Sequence, residues 1–267
     1  MKKEASPEFG ISVGFDPELF ILCNDENGTG LCLPKEATLG IKGFPEISAQ
    51  CFKDIGLLAD GVALEINTFS VAKTALQFRD LSQQALSSAK LHLEERGLQM
   101  SRDPKITVPA ALRKTPAFLE VGCEPDYCVY RREMMPPLDP YSSNDRFAGG
   151  HIHISCQTDK ELDPHDMAKA MDLFVGAWLC PRFDNSSRRK FIGAGRIRVK
   201  AKNYIEYRTP SNQWLFANGS VQGAMFASMM EAMTFCRDKG IAKNEKLVKE
   251  TAEAINSGIT YLEATKL

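Results

Sequence analysis

Four segments of this chain alternate polar and apolar residues with a period of two, and that pattern restricts the fold more than any other feature. In ISVGFDPELFIL, residues 11 to 22, the odd positions Ile11, Val13, Phe15, Leu19 and Ile21 are apolar, while Ser12, Gly14, Asp16 and Glu18 fill the other side. In DGVALEINT, Val62, Leu64 and Ile66 alternate with Ala63, Glu65 and Asn67. FAGGHIHIS sets His151 and His153 against Ile152 and Ile154, and YIEYR presents Glu206 with Arg208. Successive side chains of a β-strand point to opposite faces, so each segment reads as a strand with one side in a core and one carrying polar groups. If the four strands share a sheet, those polar groups line a single surface.

Elsewhere the spacing predicts helices. Residues 70 to 97 carry apolar side chains at 71, 75, 78, 81, 85 and 89 and end in a glycine suited to a cap. Asp163-Pro164 opens a helix running to about Cys180, and two more are expected near 219 to 238 and 244 to 256. Lys105 to Pro109 and Phe118 to Gly122 read as short strands, 124 to 147 as a loop rich in proline and charge, and 197 to 209 as a further strand region. Asn27-Gly28 is a turn signal. Strands and helices do not alternate as βαβ units, so the expected class is α+β, a largely antiparallel sheet with helices on one side. With no repeat and no linker, residues 1–267 are taken as one domain.

Composition narrows the function. A formal net charge of -1 gives no basic footprint for nucleic acid or an anionic membrane, so neither is expected as a partner. The opening MKKEASPEFG lacks the apolar stretch of a signal peptide, and no apolar run approaches the roughly 18 residues of a membrane span. The eight cysteines show no CxxC, and several lie inside apolar runs, which reads as free thiols in a reducing, cytoplasmic compartment.

The four acids pose an electrostatic problem. Two like charges 4 Å apart repel by about 4 kcal/mol at an effective dielectric of 20, so Asp16, Glu18, Glu65 and Glu206 on one surface need compensation. Protonation, neutralisation by Arg208, Arg196 and Arg198, or divalent cations would each provide it. Taken singly, each element has a plainer explanation. An isolated DxE faces water from a one-sided sheet, His-x-His can be a solvent pair, and Glu206 with Arg208 can be a cross-strand ion pair. The basic stretch SSRRKFIGAGRIRVKAK is by default a solvated loop, although glycines among basic residues also suit a phosphate clamp. GxxxxGK[ST], GxGxxG and a serine nucleophile elbow are all absent. Cys156 continues the apolar side of the histidine strand and reads as core.

Taken in order, GFDPELF, DGVALEIN, GCEPDYCVY, RFAGGHIHIS and YIEYRTPSNQWL resemble the phage carboxylate-amine ligases (amidoligase type 2), of the wider glutamine synthetase and glutamate-cysteine ligase superfamily. The likeness spans Val13 to about Leu215. It implies a curved, largely antiparallel sheet with helices on its convex side, as in the glutamine synthetase catalytic domain, and an enzyme that uses ATP and Mg²⁺ or Mn²⁺. The implied metal ligands are Asp16, Glu18, Glu65, His151 and Glu206. Arg208 resembles the arginine that meets the transferring phosphoryl group and, with Glu65, is the implied catalytic residue. His153, Arg196, Arg198 and Arg208 are the implied ATP contacts. The implied reaction joins a small-molecule or peptide carboxylate to an amine through an acyl phosphate, in a cytoplasmic protein and, if phage-encoded, in the host cytoplasm, with a homo-oligomer possible. Two departures stand out: Asp16 replaces a usual glutamate, and Ile192 stands where an aromatic is expected. Two other functions compete: a metal-dependent hydrolase built on His151 and His153, and a non-catalytic nucleotide-binding protein.

Overall fold

The structure is a computed structural model that describes residues 9–25, 28–33, 54–119, 125–137, 139–184 and 186–258. Its strands are β1 (Gly10–Leu19), β2 (Ile21–Asp25), β3 (Gly28–Cys32), β4 (Ile55–Asp60), β5 (Ala63–Thr68), β6 (Leu98–Met100), β7 (Lys105–Thr107), β8 (Asp126–Cys128), β9 (Glu133–Met135), β10 (Asp145–Phe147), β11 (Gly150–Gln157), β12 (Arg196–Ala201) and β13 (Tyr204–Tyr207). The helices are α1 (Ala75–Glu94), α2 (Pro116–Leu119), α3 (Pro164–Met171), α4 (Ala177–Phe183), α5 (Ser186–Phe191), α6 (Gly219–Asp238) and α7 (Glu245–Ser257), with a π-helical turn, Asp172–Gly176, between α3 and α4. Eight strands form one sheet in the order β4-β5-β1-β11-β13-β12-β8-β9, and every pairing in it is antiparallel. The fold is α+β, as the absence of βαβ alternation predicts.

One face of this sheet is the core. Ile11, Val13, Phe15, Leu64, Ile66, Ile152, Ile154, Ile197, Ile205 and Tyr207 are buried there against α1, α3 and α6. Phe15 meets Phe78 of α1 and Trp214 edge-on, with ring centroids 5.7 Å and 5.2 Å away, the arrangement that aromatic quadrupoles favour. Cys156 lies in the same core. None of the six cysteines among the described residues is in a disulfide; Cys51 and Cys123 lie outside them.

Caps set the helix ends. Thr74, Asp163 and Asn218 each accept a backbone N–H of the first turn of α1, α3 and α6, which satisfies donors that a helix start leaves unpaired. Helix α1 therefore begins at Ala75 rather than Ser70, and Gly97, in the left-handed region at φ 69°, follows its end. Among the described residues no helix is long and apolar enough to cross a membrane.

Three expectations fail here. Phe118 and Leu119 end the helical turn α2 instead of starting a strand, and residues 120–122 lie outside those described, as does Asn27. The expected loop at 124 to 147 contains β8, β9 and β10, two of which extend the main sheet. The basic stretch expected as a solvated loop begins instead with α5, where Arg188 and Arg189 are buried, and continues into β12. Arg188 is fully buried and donates to Asp184 Oδ2 (2.8 Å) and to the carbonyls of Thr209 (2.7 Å) and Pro210 (2.9 Å), so it holds the chain after β13 rather than a phosphate.

Candidate active site

The strand registers put the polar groups on one face. Directly opposed residues of an antiparallel pair share a face, and the pairs are Glu18 with Glu65, Asp16 with His151, His153 with Glu206, and Glu206 with Arg198. Arg208 follows β13 two residues beyond Glu206, and its amide donates to Arg196 O at 2.8 Å. Residues separated by up to 192 positions thus form one row across five neighbouring strands, running from Glu65 to Arg198.

His151 lies near the middle of the row, 3% exposed. Its Nδ1 is 3.6 Å from Asp16 Oδ1 and 3.9 Å from Glu206 Oε1, and its Nε2 is 3.6 Å from Glu18 Oε1. Burial, reinforced by Arg208, Arg188 and Arg198, holds its pKa well below the ordinary 6.5, so the ring is neutral at pH 7. Arginine can only donate, so the 3.3 Å contact between Arg208 Nη1 and His151 Nδ1 makes that nitrogen the acceptor. The Gly-Gly pair before the histidine has a steric cause. A Cβ at Gly149 would collide with the His151 ring, and one at Gly150 would collide with Ser211 O and the Trp214 indole. Gly149 N donates to Glu18 Oε2 at 2.7 Å, which fixes that carboxylate beside the ring.

The two ends of the row differ in charge. At one end Glu206, 1% exposed, is gripped by Arg208, by Arg198 (3.4 Å) and by Lys200 (2.8 Å). Burial alone would raise its pKa, but these cations outweigh it and hold the carboxyl below its usual range. At the other end Glu18, Asp60 and Glu65 bring carboxylate oxygens within 4.8 Å of one another. Burial, then Asp60, pushes Glu18 up to about 8. Burial, then Asp16, pushes Glu65 up to about 7, even though Asn67 donates to it at 2.5 Å. A second trio, Asp16, His153 and Glu206, falls within the same 4.8 Å limit. His153 Nε2 is 3.1 Å from Asp16 Oδ2, and its Nδ1 is 2.9 Å from the Tyr204 hydroxyl.

Asp16, Glu18, Glu65, His151, His153, Glu206, Arg198 and Arg208 therefore come together. Arg196, on β12 with Arg198, is engaged by the next strand instead: its Nε donates to Asp126 Oδ1 of β8 at 2.6 Å and its Nη1 to Phe191 O at 2.8 Å. Asp126 also faces Arg208 Nε at 3.4 Å. Sequence reasoning missed Asp60, Asp126 and Lys200. Lys200 continues the period of two begun by Arg196 and Arg198, and Asp60 opens the Asp-Gly turn between β4 and β5, so both carried a signal. Asp126 sits in a three-residue strand, too short to show a period.

No protein-family model matches the chain, and no curated protein sequence does. Among solved structures, one described as "Apo GmaS without ligand" is similar at TM-score 0.45 and 14% identity, over 94% of this chain and 65% of that one. Another, "GmaS/ADP complex-Conformation 1", is similar at TM-score 0.40 and 13% identity, over 84% of this chain and 56% of that one. This chain thus spans about two thirds or less of the length of the structures it matches.

Proposed function

We propose that this protein is an ATP- and Mg²⁺-dependent carboxylate-amine ligase. The observation that carries the reading is the pair of oxygens beside His151. Asp16 Oδ1 and Glu18 Oε1 are buried without a hydrogen-bond partner among the described residues, and each lies 3.6 Å from a nitrogen of the neutral imidazole. Buried acceptors are normally satisfied, so orphaned carboxylate oxygens beside a neutral imidazole suit a divalent cation, for which Nδ1 would exchange its 3.3 Å contact with Arg208, and an oxygen-rich donor set favours Mg²⁺ or Mn²⁺. Asp16, His151 and Glu206 would hold one ion, and Glu18, Glu65 and Asp60 a second. Bound ATP and Mg²⁺ would supply a transferable phosphoryl group and the positive charge that steadies it.

The chain's own residues then have definite tasks. Arg208, anchored on Glu206 and buried, points a fixed guanidinium at the place where charge develops, and phosphoryl transfer depends on such positioning more than on covalent help. Arg198, Lys200 and His153 lie on the outer side of the row and would face the phosphates. Arg196, occupied by Asp126, is the weaker phosphate contact. The buried walls keep water from an activated carboxyl group, which must survive until an amine attacks.

The test is ADP release with Mg²⁺ over a panel of acids and amines. Glu206→Gln and His151→Ala should abolish it, and Arg208→Ala should lower it by roughly 100- to 1,000-fold, the cost of losing one preorganised donor. Unchanged turnover in all three variants refutes the assignment.

A further inference from the structure

Arg208 has a second neighbourhood. With Asp126 and Arg196 it lines a cavity of about 760 Å³ that Glu206 does not line. The cavity walls are largely apolar: Tyr130, Met135, Phe147, Phe191, Ile192 and Ala252. Phe147 and Phe191 form a tilted ring pair with centroids 5.1 Å apart. The exposed Arg131, Lys190 and Lys249 also line it, while the buried or half-buried arginines beside Arg208 have internal partners. Arg146 donates to the carbonyls of Phe118, Ser143 and Asp145, Arg189 to those of Cys180 and Asp184, and Arg196 to Asp126. The cavity therefore offers an incoming molecule a polar floor at Arg208 and Asp126 and a body of rings and aliphatic groups.

We infer that the acid substrate is a carboxylic acid with a bulky apolar body, aromatic or branched aliphatic and about the size of a dipeptide, whose carboxylate meets Arg208 while its body fills this cavity. The inference rests on the ligase reading above and narrows its substrate class. Cavities of roughly 300–1,000 Å³ bury ligands of drug size. A short dicarboxylic amino acid would leave most of the space to water and most of the apolar wall uncovered.

Calorimetry on the full chain without nucleotide tests this, with N-acetyl-phenylalanine and N-acetyl-leucyl-phenylalanine against glutamate and aspartate as probes. The apolar acids should bind at least about tenfold more tightly than glutamate, the discrimination a hydrophobic pocket reaches for a single methylene group. Phe191→Ala, which removes a wall, and Ala252→Trp, which fills the space, should each weaken the apolar acids by about tenfold while Mg²⁺-ADP affinity stays unchanged and reports a folded chain. Equal binding of glutamate, or undiminished apolar-acid binding in both folded variants, overturns the inference. If Mg²⁺-ADP binds but none of the acids does, the inference fails and the ligase reading stands. If apolar acids bind a chain that takes no nucleotide, the cavity assignment holds and the ligase reading falls.

Discussion

Glu18 and Glu65 face each other across β1 and β5, and burial keeps both carboxyls protonated above the ordinary 4.5, at about 8 and about 7. Glu206, held low by its cations, stays ionised. A divalent ion entering beside Glu18 and Glu65 must displace their protons, since carboxylates ligate only when ionised. Mg²⁺ titrated into the protein at pH 6.5 should therefore release close to two protons, and almost none at pH 9, as read by calorimetry in buffers of different ionisation heat. Proton release that does not fall with pH would contradict this account. At this scale much of the site was legible. A period of two marks which side chains share a face within a strand, and it found Asp16, Glu18, Glu65, His151, His153, Glu206 and Arg208. It says nothing of which strands are neighbours, so the convergence of Arg208, Arg198 and Lys200 on Glu206, and of Asp60 on Glu18, is a product of register that no single segment encodes.

The 3₁₀ segment Asn212–Phe216, which follows β13, ties strand ends together. Asn212 Nδ2 donates to Glu18 O at 2.8 Å, and Trp214 Nε1 donates to Gly150 O at 3.0 Å, so one turn pins both β1 and the start of β11. Replacing Asn212 by Ala leaves the buried Glu18 carbonyl without this donor, at a cost of about 1–3 kcal/mol. The urea midpoint should fall accordingly, and a midpoint equal to that of the parent chain would show the clamp to be dispensable. Long elements were readable because their signals are redundant. Helix α6 was placed at residues 219 to 238 from its apolar spacing, and its Asn218 cap agrees. The three-residue strands β8 and β9 were not, because proline and charge dominate that stretch and β8 gains its pairing from the distant β12, as β9 does from β8. The basic run at 188 to 190 misled for a related reason: carbonyls from a distant turn, not solvent or phosphate, receive Arg188.

For the whole molecule, the buried acids set the dependence of stability on pH. Glu18 and Glu65, and Asp172 in the core at about 7, all have folded pKa values above the ordinary 4.5 and 3.8, so their contribution is complete below those values and is lost as pH rises through 7 to 8. His151, depressed by burial, has the opposite sign, but only below its unfolded value of 6.5. Between about pH 6.5 and 8 only the loss remains, so the metal-free protein should melt at progressively lower temperature across that window. Saturating Mg²⁺ should reverse most of the decline, with about 2.7 kcal/mol gained at a concentration 100 times Kd. Melting temperatures that rise from pH 6.5 to 8 without metal would refute the assigned burial. The contacts that assemble the site also have a kinetic meaning. Gly149 and Asn212 reach Glu18 across 131 and 194 positions of chain, so closing this sheet takes very long loops and is intrinsically slow. During synthesis β1 must wait, one edge unpaired, until β11, which ends at Gln157, has emerged, and in that interval a nascent chain depends on being shielded from its neighbours.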